Sequence, residues 1–305
     1  MKFNSFFLLT LLAIFSSCSN NDDNPNEVPN PIISEKAYAY NGNIQKLIEF
    51  DLSNGQELEV SETFQVFDNS FFPKYLPSQN LIIGIDANFN SSSIQYEPRL
   101  VKINLENGTV EFVNLMVANN YGEIVVANNK VYAYSGNVDK IVEINIADGS
   151  ETEISNTFIP FDDYFIPEFN SQTNEIIGRA NNYNSTTNQN EPRLIKINVS
   201  DGNVSYLELN SNDYSDIVIG NGNTYVLNNI LNKMVEINLA DGSENEVSNT
   251  ISVFDGHFVP SYIKSTNEIV GIDDENNKLI KVKLENGEVT YINLSNSNFG
   301  EIVIK

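Results

Sequence analysis

The chain has 305 residues, of which 41% are apolar, so it is long enough for one large core or two ordinary domains. Its formal net charge of -24 at pH 7 repels phosphate backbones and anionic lipid headgroups, which excludes nucleic acid and charged membrane surfaces as expected partners. The single cysteine, Cys18, leaves no disulfide framework and no cysteine-rich metal site.

The first element in chain order is a short apolar segment, Phe6–Phe15, which follows Lys2 and precedes Ser16-Ser17-Cys18. It is too short to cross a bilayer about 30 Å thick, so it predicts a signal peptide. Small residues directly before a cysteine resemble the lipobox of bacterial lipoproteins, although Phe15 stands where that family usually has leucine. The resemblance implies that residues 1–17 are removed and that Cys18 carries the lipid; an ordinary signal peptide with an incidental cysteine is the alternative.

Residues 18–33 are polar, acidic and contain proline, and they have too little apolar content to pack. We expect a flexible tether whose fully extended length is at most about 45 Å. The chain would then be exported to the cell envelope, on the outer membrane or the cell surface, and would contact the membrane only through its lipid anchor.

A ten-residue segment then occurs six times. Each copy begins with lysine or arginine, continues with β-forming residues and ends in Asn-Gly or Asp-Gly; the copies are Lys46–Gly55, Arg99–Gly108, Lys140–Gly149, Arg193–Gly202, Lys233–Gly242 and Lys278–Gly287. Asn-Gly or Asp-Gly between two apolar runs predicts a hairpin, and we expect type I′ turns with positive φ at both central residues.

The spacing of the copies predicts the architecture. Successive glycines are 53, 41, 53, 40 and 45 residues apart, so two kinds of unit alternate and a pair recurs about every 93 residues. Four strands in about 46 residues is the size of a propeller blade. The first unit lacks its first strand, and Phe299–Lys305 supplies a matching one. We therefore predict an all-β, six-bladed β-propeller over residues 34–305, closed by pairing of the C-terminal strand with the first blade.

The segment Val131–Glu151 and its repeats resemble the broad group of TolB-like, NHL and YVTN-type propellers. The resemblance is one of architecture, and no active site of those families maps onto this chain. Three tandem immunoglobulin-like domains would fit the long period but not the half-period. An open β-solenoid would need polar caps, whereas the final strand is apolar.

Candidate ligand-binding residues recur with the blades. Three links between units share the pattern Phe-Asp-x-x-Phe-x-Pro and contribute Asp68, Asp162, Asp255, Phe71, Phe165 and Phe258. The other three links carry an acid where the next strand begins, namely Glu123, Asp216 and Glu301. Converging carboxylates would favour a cation or a basic ligand at one mouth of the channel. Alternatively, each aspartate caps its turn while Phe and Pro wedge neighbouring blades together.

Two residues break the repeat and are candidates for asymmetric chemistry. His257 is the only histidine, and Arg179 occupies a position where the sister units have Ile85 and Ile272. Arg179 could reach an anionic ligand, or it could pair with a carboxylate. No motif supplies a nucleophile for His257, so no catalytic residue is assigned.

The loop from Asp86 to Glu97 imitates the ligand spacing of a calcium-binding EF-hand. It lacks the required glycine, since Ser91 stands there, and the sister loop begins with Ala180. A solvated loop over a binding face is the alternative, and we predict no metal and no cofactor.

These observations favour a monomeric, tethered binding protein that uses one face of the ring. Its ligand could be a protein, a small molecule or a glycan. The alternatives are an extracellular hydrolase or lyase acting on a sugar or lactone, and a scaffold for an outer-membrane complex.

Overall fold

The computed structural model describes residues 35–66, 71–90, 95–116, 120–184, 189–210, 213–253 and 258–305. Within these ranges, twenty-four strands form six four-stranded antiparallel sheets, which are the blades of a β-propeller. The described part of the chain has one helical segment, the 3-10 turn Pro77–Gln79, and no helix there is long and apolar enough to cross a membrane.

The strands are numbered in chain order. Blade 1 contains β1 (Ala37–Asn41), β2 (Lys46–Phe50) and β3 (Glu57–Glu59). Blade 2 contains β4 (Lys74–Leu76), β5 (Leu81–Asn90), β6 (Gln95–Asn104) and β7 (Val110–Asn114). Blade 3 contains β8 (Tyr121–Ala127), β9 (Lys130–Ser135), β10 (Lys140–Ile144) and β11 (Glu151–Glu153).

Blade 4 contains β12 (Phe161–Asn170), β13 (Glu175–Asn184), β14 (Gln189–Asn198) and β15 (Val204–Glu208). Blade 5 contains β16 (Tyr214–Gly220), β17 (Asn223–Asn228), β18 (Lys233–Ile237) and β19 (Glu244–Glu246). Blade 6 contains β20 (Pro260–Ile263), β21 (Glu268–Asp273), β22 (Lys278–Lys283) and β23 (Glu288–Asn293). The last strand, β24 (Phe299–Ile304), joins blade 1 as its inner strand.

The apolar core lies between the blades rather than inside any one of them. Each of six buried clusters joins two neighbouring blades; between blades 2 and 3, for example, Ile83 and Leu100 pack against Ile124 and Val142. The two middle strands of a blade are buried on both faces, which explains why they read as continuous apolar runs rather than as alternating ones. One of the six clusters, which includes Ile48 and Val270, joins blade 6 to blade 1.

Closure of the ring by the C-terminal strand is confirmed. β24 pairs antiparallel with β1, with Ala37 opposite Ile304 and Ala39 opposite Ile302. Across the same junction, Gly42 N donates to Asn298 O at 2.8 Å. Six blades therefore surround a common axis, lined by the inner strands β4, β8, β12, β16, β20 and β24.

The glycines of the repeated segment adopt the predicted positive φ, but the predicted turn type is wrong. Gly55, Gly149 and their four equivalents have φ from 69° to 77°, whereas the residue before each glycine is not among the described residues of positive φ. The turn is therefore a longer one that ends in a left-handed glycine. A Cβ on Gly149 would lie 2.3 Å from Asn114 O of the preceding blade, so these glycines also permit close contact between blades.

Candidate functional site

The propeller has two faces, which differ in the exposed aliphatic side chains of their described connecting segments. In an antiparallel blade, the hairpin between the second and third strands emerges on the same side as the link to the next blade. We call that side the inter-blade face, and the side with the other hairpins the turn face. Side chains of the turn face cap their own backbone, as where Asp148 Oδ1 accepts from Ser150 N at 3.0 Å.

The inter-blade face carries exposed aliphatic side chains. Among the described residues, the large hydrophobic side chains exposed in connecting segments are Ile44 (37%), Met116 (57%), Ile159 (62%), Ile230 (62%) and Leu231 (42%). All of them lie in middle hairpins or in links between blades, and thus on this face. The other exposed large hydrophobics that the structure describes are on outer strands, among them Leu58 on β3.

Three acidic residues predicted from the sequence lie at equivalent positions of the inner strands. Glu123, Asp216 and Glu301 are each the third residue of their strand, in β8, β16 and β24. At each of them the pairing with the second strand shifts register. A bulge of this kind re-aims a side chain that regular pairing would direct elsewhere, which accounts for the placement of the three acids in one cluster.

Two further charged residues join these acids, and sequence reasoning missed both. Lys74 on β4 and Glu168 on β12 form an ion pair, with 2.7 Å between Nζ and Oε1. The pair connects the inner strands of blades 2 and 4 past blade 3, so it lies on the side of the ring that faces the axis. Lys74 also interacts electrostatically with Glu123 and Glu301, which lie on the inner strands to either side of β4.

The repeat did contain a signal for this pair. Lys74, Glu168 and Ser261 each follow the proline of the shared Phe-x-Pro sequence, so one position of three sister strands holds a cation, an anion and a hydroxyl. Ser261 donates its hydroxyl to Ile302 O at 2.7 Å, whereas the two charged side chains bind each other. When one position carries different charges in sister strands whose flanking residues are the same, the side chains at that position are expected to contact one another across the ring.

Burial determines the electrostatics of this cluster. The pKa of the Glu123 carboxyl is raised well above its ordinary value. Burial is the largest cause and the nearby Glu301 the second, while Lys74 opposes the shift. Burial likewise raises the pKa of Glu301, which is 7% exposed, and Asp216 and Glu168 add to the shift. The pKa of Lys74 is raised despite its burial, because Glu168 and the two other glutamates favour its charged form.

Two oxygens of the cluster have hydrogen-bonding capacity that the described residues do not use. Glu123 Oε2 and Glu301 Oε1 are both shielded from solvent, and neither has a hydrogen-bond partner among those residues. A buried polar atom without a partner costs about 1–3 kcal/mol, so these two oxygens require a water molecule or another bound group to satisfy them.

Arg179 pairs with a carboxylate of the protein, which is one of the two roles that the sequence suggested for it. Its Nη2 atom lies 3.9 Å from Asp216 Oδ1, and its side chain is 18% exposed. Arg179 belongs to the second strand of blade 4 and Asp216 to the inner strand of blade 5, so this contact also joins two blades.

The phenylalanines proposed as ligand contacts are enclosed in the core. Phe71, Phe165 and Phe258 are each 1% exposed. Each ring covers a glycine of the neighbouring strand, and a Cβ on Gly84, Gly178 or Gly271 would lie 2.3–2.4 Å from a ring atom. A ligand on the face cannot reach these rings, so their assignment as ligand contacts does not hold. Each ring also lies in a core cluster that joins its blade to the preceding one, as expected if the phenylalanines wedge neighbouring blades together.

Several other candidates lie outside the described residues. These are Cys18, Asp68, Asp255 and His257, together with the side chain of Asp162, whose backbone is part of β12. Neither the capping role nor the ligand-binding role of the three aspartates is tested, and the same holds for a role of His257.

Asp86, the first residue of the calcium-like spacing, is bound by an arginine of its own blade. Asp86 Oδ2 accepts hydrogen bonds from Arg99 Nε at 2.9 Å and Nη2 at 2.7 Å, and the aspartate side chain is fully buried. Arg99 in turn lies 4.0 Å from the centroid of the Phe112 ring. The carboxylate of Asp86 therefore binds a side chain of its own blade. Its loop connects two paired strands, whereas the calcium loop of an EF-hand connects two helices.

The geometry of the central cluster suits a singly charged organic cation better than a metal ion. No three or more His, Cys, Asp or Glu side chains of the described chain are arranged to hold a metal. With every group ionised, four carboxylates face two cations, Lys74 and Arg179, so the cluster has two uncompensated negative charges. Hard divalent cations prefer sites built from oxygen ligands, whereas here an ammonium group already lies at the centre.

Comparison with known proteins shows the fold. No family model matches the chain, and no curated protein matches it in sequence. In a crystal structure of a nidogen/laminin complex, one chain superposes with a TM-score of 0.60 at 8% identity, covering 88% of this chain and 98% of that chain. TolB from Acinetobacter baumannii gives 0.62 at 14% identity and covers 89% of this chain, which spans 66% of the TolB chain.

A third solved structure is regucalcin, a calcium-binding protein from Agrobacterium tumefaciens. Its TM-score is 0.52 at 10% identity, and the match covers 76% of this chain and 78% of that chain. Identities this low establish a shared architecture and nothing about ligands. The predicted resemblance to TolB-like propellers is confirmed at that level.

Proposed function

We propose that the chain is a binding protein of the cell envelope, anchored through a lipid on Cys18, and that it binds a protein partner on the inter-blade face. The observation that carries this proposal is the distribution of exposed aliphatic side chains. In the described connecting segments, Ile44, Met116, Ile159, Ile230 and Leu231 all belong to this face. In the described connecting segments of the turn face, no large hydrophobic side chain is exposed.

The partner's chemistry follows from the surface of the ring. Exposed aliphatic groups lose contact with water when an apolar surface covers them, at about 25 cal/mol per Å². The net charge of -24 favours a partner with positive charge around its apolar contacts and increases the rate of encounter. A protein surface can combine both properties over the width of a propeller face.

The lipid anchor predicts where the chain is found. Replacing Cys18 by serine removes the thiol that would be acylated, so we expect the protein to move from the membrane fraction to the soluble fraction of the envelope. The measurement is immunoblotting of fractionated cells, with Ser17→Ala as the control, since alanine keeps a small residue before the cysteine. Membrane association of Cys18→Ser equal to that of the unchanged chain would contradict the lipid assignment.

The inter-blade face predicts which substitutions abolish binding. Ile159→Ser together with Ile230→Ser removes two side chains that are each 62% exposed, so we expect loss of the partner with no change in melting temperature. Leu58→Ser is the matched control, because Leu58 is 61% exposed on an outer strand. The measurement is quantitative co-purification from native envelope with all three chains.

The outcomes of this comparison are distinct. A protein retained by the unchanged chain and by Leu58→Ser, but lost from the double variant, supports the proposal. Equal recovery with all three chains, or loss with Leu58→Ser alone, would place the interface elsewhere on the ring.

A further inference from the structure

The inner-strand cluster contains carboxylate oxygens that the described protein groups do not satisfy. Glu123 Oε2 and Glu301 Oε1 are shielded from solvent and have no partner among the described residues. They belong to β8 and β24, on either side of the strand that carries Lys74. Lys74 directs its ammonium group to Glu168, at 2.7 Å, rather than forming a hydrogen bond to either of them.

The surrounding groups determine what could bind between these two glutamates. Asp216 on β16 faces them, and Arg179 lies 3.9 Å from Asp216. Glu168 on β12 is paired with Lys74, and Ser261 on β20 donates its hydroxyl to Ile302 O. Each of these oxygens is an unused hydrogen-bond acceptor, and it carries negative charge when its glutamate is ionised. The matching ligand is a cation with N–H donors, which favours the ionised form.

We propose that Glu123 and Glu301 bind the primary ammonium group of a ligand, which enters the ring from the inter-blade face. A primary ammonium has three donors and a single charge, so it can satisfy both oxygens and compensate part of the negative charge of the cluster. On a partner protein, this group is a lysine side chain or an amino terminus. The site deepens the proposed function and rests on it for the identity of the face, since the three acids lie near the ends of strands where the inter-blade links enter.

Binding at this site is linked to pH. Burial raises the pKa of both glutamates, so the free protein holds protons there above the ordinary range of a carboxyl group. A bound ammonium favours the ionised carboxylates, so binding releases protons and the affinity increases as pH rises through the raised pKa values. The dependence ends where the ligand's own ammonium begins to lose its proton, at a pKa of about 10.4 for a lysine side chain and about 8 for an amino terminus.

The experiment is isothermal titration of the full chain with n-butylammonium chloride. We expect saturable binding to one site and proton release, seen as a dependence of the heat on the ionisation enthalpy of the buffer. Tetramethylammonium, which has charge but no N–H donor, and n-butanol, which has no charge, should each bind at least about tenfold more weakly. Equal binding of tetramethylammonium would overturn the proposal, because hydrogen bonding to the orphan oxygens would then play no part.

Conservative variants localise the site. Glu301→Gln and Glu123→Gln keep the shape of the side chain but remove the charge, so each should weaken n-butylammonium binding by about tenfold. Glu285→Gln, at a glutamate that is 77% exposed in a turn, is the matched control and should leave binding unchanged. Melting temperatures of all variants verify folding, and unaltered affinity in both inner-strand variants would overturn the assignment.

Two peptides distinguish the sources of the ammonium group. Ac-Gly-Lys-Gly-amide offers only a lysine side chain, and Gly-Gly-Gly-amide offers only an amino terminus. Binding of either one supports the site and identifies its source. Failure of the butylammonium and peptide probes, with face-dependent capture of the partner intact, would remove this inference and leave the proposed function standing. Binding of these probes without face-dependent capture of the partner would retain the ammonium site and remove the proposed docking face.

Discussion

Deleting Phe299–Lys305 is expected to remove most of the stability of the propeller. The segment supplies the inner strand of blade 1, and its pairing with β1 joins the two ends of the chain. Phe299, Ile302 and Val303 are buried, and burying side chains of this size contributes about 1.5–3 kcal/mol each. The loss of about 4.5–9 kcal/mol is comparable with the whole stability of a typical domain.

Thermal unfolding followed by circular dichroism measures this effect. We expect the truncated chain to be unfolded, or to melt far below the full chain, because the deletion also exposes the edge of β1 and one side of an inter-blade cluster. Adding a synthetic peptide with the sequence of residues 299–305 in excess should raise the melting temperature again. A truncated chain that melts like the full one would contradict closure of the ring.

Replacing Lys74 by methionine is expected to give the second large effect. The lysine is 16% exposed and pairs with Glu168 at 2.7 Å, while Glu123 and Glu301 lie within electrostatic range. Removing one partner of a shielded ion pair leaves an uncompensated charge and costs about 3–5 kcal/mol. Here the remaining carboxylates also repel one another, so the cost is concentrated at the axis of the ring.

The pH dependence of the Lys74→Met variant distinguishes this cause from a loss of packing. Glu123 and Glu301 already have raised pKa values, and Lys74 acts to lower them, so its removal raises them further. A carboxyl group whose folded pKa exceeds its unfolded pKa stabilises the fold fully below the unfolded pKa, and this stability is lost as pH rises through the folded pKa. The variant should therefore lose more stability at alkaline pH than at acidic pH.

A matched exposed ion pair serves as the control. Lys140 lies 2.6 Å from Glu153, and the two side chains are 28% and 53% exposed, so Lys140→Met should cost at most about 1 kcal/mol. The double variant Lys74→Met, Glu168→Gln should recover part of the stability, because it removes one of the uncompensated charges. Equal melting temperatures for Lys74→Met and Lys140→Met would show that the inner-strand cluster is not electrostatically coupled.

Much of the fold could be predicted from the sequence because one local pattern is repeated along the chain. Asn-Gly and Asp-Gly at regular spacing indicated the hairpins, and Phe299–Lys305 copied the strand that blade 1 lacked, which the structure confirms. The turn type was wrong because only the glycine adopts positive φ, and contact with the preceding blade is an equally strong reason for its presence. The sequence of a single hairpin does not show which backbone atoms of the preceding blade lie against its glycine.

The site could be predicted only in part, for a similar reason. Glu123, Asp216 and Glu301 were identified because each begins a sister strand. Lys74 and Glu168 were missed because they are 94 residues apart and meet only when the ring is closed. The phenylalanines were placed on the ligand face because their pattern lies in links between blades, but their rings pack on glycines in the core.

The carboxyl group of Glu301 gives the most direct test of a buried acidic cluster at the axis. Its ionisation can be followed by carboxyl ¹³C NMR across a pH titration of the full chain, with Glu301→Gln used to assign the signal. The structure predicts a midpoint well above the ordinary value of about 4.3. It also predicts that n-butylammonium lowers this midpoint. Titration near the ordinary value, unaffected by n-butylammonium, would contradict both the burial of the cluster and its role as a cation site.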